Sequence, residues 1–268
     1  MCLMTFAYQT HPDYNLILIA NRDEAYGRPT RGVAPWAQDS DLVAGQDLEQ
    51  GGTWLGIHRS GRLSAVTNYR DGRARANPAL RSRGHLTRDF LLSRESANTV
   101  SQHYAEQGAH YGAFNLLLGD VEGLYYLSNR GRAPERLGPG IYGLSNALLN
   151  SPWPKVQQAR DALSAALSTI SARQDRLQQA AQLTEVLAAR NQAPDAQLPD
   201  TGISLELERR LSPCFIRLET YGTRATTVLL QDYQGNSCVY EQSFDARGPT
   251  ETRHYELQLP PFGSRPRG

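Results

Sequence analysis

Short apolar runs come in pairs along the first third of the chain, each pair joined by a few turn-forming residues. Residues 2–8 (C-L-M-T-F-A-Y) and 14–20 (Y-N-L-I-L-I-A) flank a turn over 9–13 that contains His-Pro-Asp. A second pair, T-W-L-G-I-H (53–58) and R-L-S-A-V-T-N (62–68), flanks R-S-G. A third pairs F-N-L-L-L-G (114–119) with L-Y-Y-L-S-N (124–129), and a fourth pairs A-T-T-V-L-L-Q (225–231) with S-C-V-Y-E-Q-S-F (237–244). Each pattern predicts a β-hairpin. Between them, 85–107 carry apolar residues at helical spacing, and 154–190 are rich in Ala, Leu and Gln, which favour helix. Pro154 suits the first turn of the second block, and 192–202 read as a loop. Hairpins in series with helices grouped between them predict an α+β protein, its antiparallel sheets covered by helices, in one domain over 1–268.

Composition sets limits on this picture. Apolar residues make up 40% and charged residues 21%, enough for a sizeable core. A net charge of +1 leaves no basic excess to release counterions from nucleic acid, so no nucleic-acid partner is expected. Lys155 is the only lysine, which reads as compositional bias toward Arg. No apolar run is long enough to span a bilayer, and M-C-L-M-T-F-A-Y lacks the features of a secretory signal. Cys2, Cys214 and Cys238 form neither a disulfide framework nor a metal pair, and the six histidines lack metal spacing. The expectation is therefore cytoplasmic, with no metal site and no transmembrane segment. L-P-D-T-G (198–202) matches a cell-wall sorting pentapeptide but lacks the hydrophobic span and basic tail that such a signal needs.

One polar stretch stands out. L-I-L-I-A ends at residue 20, and Asn21, Arg22, Asp23 and Glu24 follow with no turn residue between. In an antiparallel hairpin, facing residues have numbers with a constant sum, and a turn centred at 11–12 gives a sum of about 22–24. Cys2 then lies opposite residues 20–22, beside the charged cluster. If Met1 is removed, Cys2 carries a thiol and a free α-amine, whose reference pKa of about 7.7–8.0 suits it to accept the thiol proton. A nearby Arg would favour thiolate. Asn68 closes L-S-A-V-T, Asn146 closes I-Y-G-L-S, and Arg224 precedes A-T-T-V-L-L. Amide donors at such strand ends could face an oxyanion, where one donor is worth roughly 2.7–4 kcal/mol. The plainer reading makes Cys2 a small apolar strand residue behind a retained Met1, the asparagines turn formers, and Arg22 with Asp23 a structural ion pair.

M-C, A-N-R-D-E (20–24), G-G-T-W-L-G-I (51–57), A-V-T-N-Y-R (65–70), Y-G-L-S-N-A-L-L-N-S-P-W-P-K-V (142–156) and Y-G-T-R-A-T-T-V-L-L (221–230), in this order, resemble the NRDE family. This is the transport and Golgi organisation protein 2 family, and the resemblance spans almost the whole chain. It implies a four-layer αββα fold of the N-terminal-nucleophile hydrolase kind, similar to penicillin V acylase and bile-salt hydrolase. Carried over by motif, the nucleophile is Cys2, the first Arg is Arg22, and the acid is Asp23 or Glu24. The two asparagines fall on Asn68 and Asn146, and the second Arg on Arg224. Asn21, Glu24, Gly52, Trp54, Tyr69 and Trp153 are the accompanying candidates for substrate contact or pocket wall. In the acylases the first Arg and the Asp stand two residues apart, whereas Arg22 and Asp23 are adjacent and point to opposite faces of an extended strand. Either Arg22 with Glu24, or Asn21 with Asp23, faces the Cys2 sulfur.

The resemblance implies an N-terminal-cysteine amidohydrolase or thioesterase acting on a small non-peptide amide or acyl substrate. The alternative is a non-catalytic haem or acyl-lipid/acyl-CoA binding and trafficking protein that uses the same cleft. No cofactor is required, and haem enters only as a ligand.

Overall fold

The computed structural model describes residues 3–75 and 77–263. β1 (Leu3–Tyr8) and β2 (Tyr14–Ala25) form the first hairpin. β3 (Thr30–Trp36), β4 (Asp39–Asp47), β5 (Leu55–His58) and β6 (Arg62–Asn68) follow, then α1 (Arg83–Leu92) and α2 (Ala97–Glu106). Next come β7 (Phe114–Asp120), β8 (Gly123–Ser128), β9 (Glu135–Arg136) and β10 (Gly140–Leu144). α3 (Pro154–Ala166), α4 (Arg176–Leu183) and α5 (Leu205–Arg210) lead into β11 (Tyr221–Asp232), β12 (Asn236–Phe244) and β13 (Pro249–Gln258). Among the described residues the strands make two antiparallel sheets, ordered β10-β1-β2-β11-β12-β13 and β3-β4-β5-β6-β7-β8-β9.

Period-two alternation divides the apolar residues into layers. Met4, Phe6, Leu16, Leu18, Val239 and Leu229 of the first sheet pack between the sheets against Trp54, Ile57, Leu63, Ala65, Leu117 and Leu124 of the second. The opposite residues of the first sheet, Leu3, Ile17, Ile19, Val228 and Leu230, bury the apolar sides of α3 and α4. Leu116, Leu118, Tyr125 and Leu127 on the outer face of the second sheet do the same for α1 and α2 through Leu86, Phe90, Val100 and Tyr104. The result is helix, sheet, sheet, helix: the expected α+β class with four layers. No helix among the described residues is long and apolar enough to cross a membrane.

All four expected hairpins are present. The first has Leu3 opposite Asn21 and Tyr8 opposite Leu16, a constant sum of 24 at the top of the expected range. The helical blocks need correction. The block over 85–107 is two helices, because Ser96 caps α2 by accepting from the Thr99 N–H. The block over 154–190 also breaks. Ser171 leaves the helical path, donating to Asp13 Oδ2 and being bracketed by Gln179, before Asp175 caps α4. Pro154 does open α3. The strands β3, β4 and β13 lack a clean apolar alternation: β3 carries Pro35 and two register shifts, and β13 is an exposed, charged edge.

Candidate functional site

The strand end that follows L-I-L-I-A keeps its alternation. Ala20 faces the space between the sheets, as does Arg22, whereas Asn21 and Asp23 face the α3 side. Asn21 is fully buried. Its amide donates to the Leu187 and Cys214 carbonyls, and its oxygen accepts from Thr226 Oγ1 at 2.7 Å. Asp23 Oδ1 accepts from Thr223 Oγ1 at 2.6 Å. The other pair, Arg22 and Glu24, lines a cleft between the sheets.

Arg22 is only 4% exposed, yet its guanidinium forms no ion pair among the described residues. It lies 4.1 Å over the Trp54 ring and donates to Thr30 Oγ1 at 3.1 Å. Burial lowers its pKa, Glu24 opposes that shift, and the neighbouring Arg224 adds to it. Trp54 reaches this place because Gly45 leaves room beneath the indole. Gly52 serves a related purpose: a Cβ there would meet the Gly84 backbone at 2.6 Å, so the close approach is of chain to chain.

The cleft has a volume of about 430 Å³ and runs from Arg22 and Trp54 past Asn68 to the Arg81–Gly84 turn. Arg28 stands on one side, with Nε and Nη2 both donating to Asp47 Oδ2 at 3.0 and 2.8 Å. Burial works against the Asp47 carboxylate, but Arg28 and two backbone N–H groups hold it below the usual range. Asn68 sits on the wall opposite, and its side-chain amide makes no hydrogen bond within the described residues. Its carbonyl accepts from Asn146 Nδ2 at 3.0 Å, so Asn146 stands one group behind the wall. Asn146 is held in turn by Arg70, whose backbone N–H donates to the Asn146 carbonyl and whose Nη2 donates to its Oδ1.

Behind Asn146 lies a polar network that sequence reasoning missed. Arg70 Nη1 meets Glu208 Oε2 at 2.7 Å, with the glutamate 3% exposed and the arginine 13%. Glu208 Oε1 accepts from the Thr201 backbone and hydroxyl, which gives L-P-D-T-G a structural task. Lys155 Nζ donates to the Leu211 carbonyl at 3.1 Å and stands 3.5 Å from Asn146 Oδ1. Its position on the buried side of α3 with Val156, Ala159 and Leu163, directly after Trp-Pro, was the available signal. Trp153 forms a face for Arg70, 5.2 Å away, and Tyr69 lines an adjoining, larger trough of about 850 Å³ that shares Leu80 and Arg83 with the cleft.

Arg224 occupies a bulge in β11, between Thr223 opposite Asp23 and Ala225 opposite Arg22. Its Nη1 donates to the Ala25 and Arg28 carbonyls. It lines a second chamber of about 340 Å³, separated from the cleft by Arg22 and Trp54. The structure thus gathers Arg22, Glu24, Trp54 and Asn68 at the cleft and sets Asn146 and Arg224 beside it. Asn21 and Asp23 face the opposite side, and Gly52, Tyr69 and Trp153 lie outside its lining. Cys2 lies outside the described residues. A further cluster, Asp39, Asp41 and His58, groups its ligand atoms within 4.8 Å on the surface of the second sheet.

Fold and site together define an αββα sandwich with a polar, arginine-walled cleft at one end of its inner layer. The chain belongs to the Transport and Golgi organisation 2 family, whose model matches residues 1–246. The Transport and Golgi organization protein 2 homolog of Bos taurus is 36% identical over 97% of this chain and 99% of its own length. The Homo sapiens homolog is 34% identical over the same shares, and the Drosophila melanogaster protein is 28% identical over 96% and 98%. Among solved structures, an N-acylethanolamine-hydrolyzing acid amidase ortholog from Caenorhabditis elegans has a TM-score of 0.46 at 12% identity, covering 85% of this chain and 92% of that one. The R18L variant of a conjugated bile acid hydrolase from Clostridium perfringens has a TM-score of 0.42 at 9% identity, covering 96% and 98%.

Proposed function

We propose that this protein is an N-terminal-cysteine hydrolase of a small non-peptide amide or thioester, with Cys2 as nucleophile. The supporting observation is the buried Arg22 at the mouth of a 430 Å³ cleft, beside the strand whose Leu3 pairs with Asn21. The proposal requires the Cys2 thiol to share the face of Met4 and Phe6, toward Arg22. The freed α-amine would accept the thiol proton as sulfur attacks the carbonyl, and Arg22 would favour thiolate. The Asn68 amide, which has no acceptor within the described residues, would donate to the oxyanion. The leaving amine or thiol would take the proton from the α-ammonium, and water would then cleave the acyl-enzyme. Arg224 would hold Arg22's surroundings positive. Asp23, bound to Thr223, would brace the strand, leaving Glu24 as the acid that shares Arg22's face.

A second reading has one observation in its favour. One N–H of the Asn146 amide donates to the Asn68 carbonyl and Asn146 does not line the cleft, so of the two asparagines only Asn68 faces it. The cleft would then bind an acyl or haem ligand without turning it over. Intact mass of the purified protein, followed by a panel of acyl amides and acyl-CoA thioesters on the parent and Cys2→Ala chains, separates the two. Hydrolysis expects Met1 removed, an acyl adduct on Cys2, and turnover lost in Cys2→Ala. Retained Met1 with no adduct and no Cys2-dependent turnover would sink it. Saturable, stoichiometric haem or acyl-CoA binding by that same chain would support the carrier.

A further inference from the structure

We propose that the chamber on the far side of the Arg22–Trp54 stack binds a small carboxylate, held between Arg22 and Arg224. The chamber opens across β11, β12 and β13 and the start of β3, away from β1, and is lined by Arg22, Arg31, Trp54, Arg224, Glu241 and Arg253 among others. Its charges do not balance internally. Arg253 is answered by Glu251 at 2.5 Å, and Asp245 is paired with Arg247 at 3.4 Å. Arg22, Arg31 and Arg224 have no ion pair among the described residues. Arg224 is fixed through Nη1 by two carbonyls, and its buried Nε–H has no acceptor among the described residues. A buried donor left unmade is a cost that an incoming oxygen removes.

Among the described lining residues Glu241 is the acid set deepest between these arginines; it makes no ion pair with them at contact distance. Its Oε1 accepts from the Val33 N–H at 2.8 Å and its Oε2 from Thr227 Oγ1 at 3.0 Å. Burial raises its pKa, with Arg253 and Arg22 opposing. The Val33 N–H is free to be capped because β3 slips register between Arg31 and Ala34. Two guanidinium groups that disfavour one another therefore share a chamber whose fixed acid is spent on holding β3. A planar carboxylate, with two oxygens for two forks, is the chemistry that answers them. Whether or not Cys2 turns over a substrate, this assignment stands on the chamber alone.

The test is a titration of the full ¹⁵N-labelled chain with sodium glutarate, inorganic phosphate and sodium chloride at matched ionic strength, following the arginine Nε–H resonances. The Arg224 signal is the one lost in Arg224→Lys. Glutarate is expected to shift the Arg224 and Arg22 signals saturably, and chloride is not. Arg224→Lys should weaken glutarate by at least about ten-fold, because the fork geometry is gone. Arg31 is exposed at the rim, so Arg31→Ala should fold normally and weaken binding by about three-fold. If Arg224→Lys fails to fold, the Arg31→Ala comparison decides. Shifts that follow ionic strength alone, or an unchanged affinity in Arg31→Ala, would overturn the site. Tighter saturation by phosphate than by glutarate would overturn the carboxylate assignment.

Discussion

Placing a single methyl group at Gly45 tests whether the cleft depends on the Trp54 platform. A Cβ at residue 45 would fall 2.2 Å from Trp54 Cζ2 and 2.3 Å from Cη2. Ordinary carbon contacts lie at roughly 3.5–4.0 Å, so the indole must retreat by more than about 1 Å. Arg22 stands 4.1 Å above that ring, so a retreat of the indole into the adjoining cleft or chamber disturbs the stack. Overpacking of this kind costs about 1–3 kcal/mol, and a disturbed, desolvated cation–π contact adds up to about 2 kcal/mol. Gly45→Ala should therefore be destabilised by about 3 kcal/mol, a fall in Tm of roughly 6–12 °C at about 2–4 °C per kcal/mol. Thermal and urea melts measure the stability, and the Arg22 Nε–H resonance reports the guanidinium's surroundings. Adding Trp54→Phe should recover part of the loss, since the smaller ring no longer meets the new methyl, and the pair will be non-additive. A Gly45→Ala chain that melts within about 1 °C of the parent with Arg22 unmoved would refute the platform argument.

Other consequences follow from the buried polar groups. Glu208→Gln breaks the 2.7 Å pair with Arg70 and should cost about 3 kcal/mol in urea unfolding, the low end of the usual range of about 3–5 kcal/mol because Arg70 keeps the Trp153 face. Asn21→Ala strands the Leu187 and Cys214 carbonyls and should cost about 2–3 kcal/mol while leaving ligand binding in the cleft unchanged, because Asn21 faces the helices. A large change in cleft affinity at preserved stability would contradict that placement. Burial pushes the Cys214 and Cys238 thiols from 9.0 to about 11. Both thiols should therefore resist iodoacetamide at pH 7.5 until the chain unfolds, as mass mapping of the native chain would reveal. Their neutral forms stabilise the fold fully below the unfolded thiol pKa, and that contribution disappears as pH rises from about 9 through about 11. The urea midpoint should fall across this window, and fall less in Cys214→Ala.

The hairpin containing A-N-R-D-E was legible because period two and a short turn leave little freedom of register. Once residues 3–8 and 14–20 are paired, Leu3 must meet Asn21 within about a residue. Which face Arg22 takes was not legible, since both alternations place one charged pair inside. The structure decides it through Ala20 and Leu18, whose inward placement carries Arg22 and Glu24 with them. The breaks at Ser93 and Ser171 were hidden inside blocks whose composition as a whole favours helix, whereas the stops come from side-chain caps and from Asp13, 158 residues away in sequence. β3 and β13 were hidden because edge strands carry polar residues, and β3 depends on a Glu241 carboxylate from the other sheet.

The candidate site was legible only where its residues coincide with strand geometry. Arg22, Asn68 and Arg224 all stand at strand ends or bulges, where a change from apolar to polar is visible in the chain. Lys155, Glu208 and Arg70 instead act through a network centred on Asn146. Arg70 joins the carbonyl and side chain of Asn146 to Glu208, and Glu208 joins them to Thr201. No local pattern announces such a chain of contacts, because each member is an ordinary residue of its own loop or helix. Its effect is to seat Asn146 against the Asn68 carbonyl, and so to fix the wall that faces Arg22. Arg22 is held with equal care from the other direction, by Trp54, Gly45 and Thr30. Two independent supports hold opposite walls of one cleft. On the reading proposed above, these supports are what would hold a ligand's contacts in place.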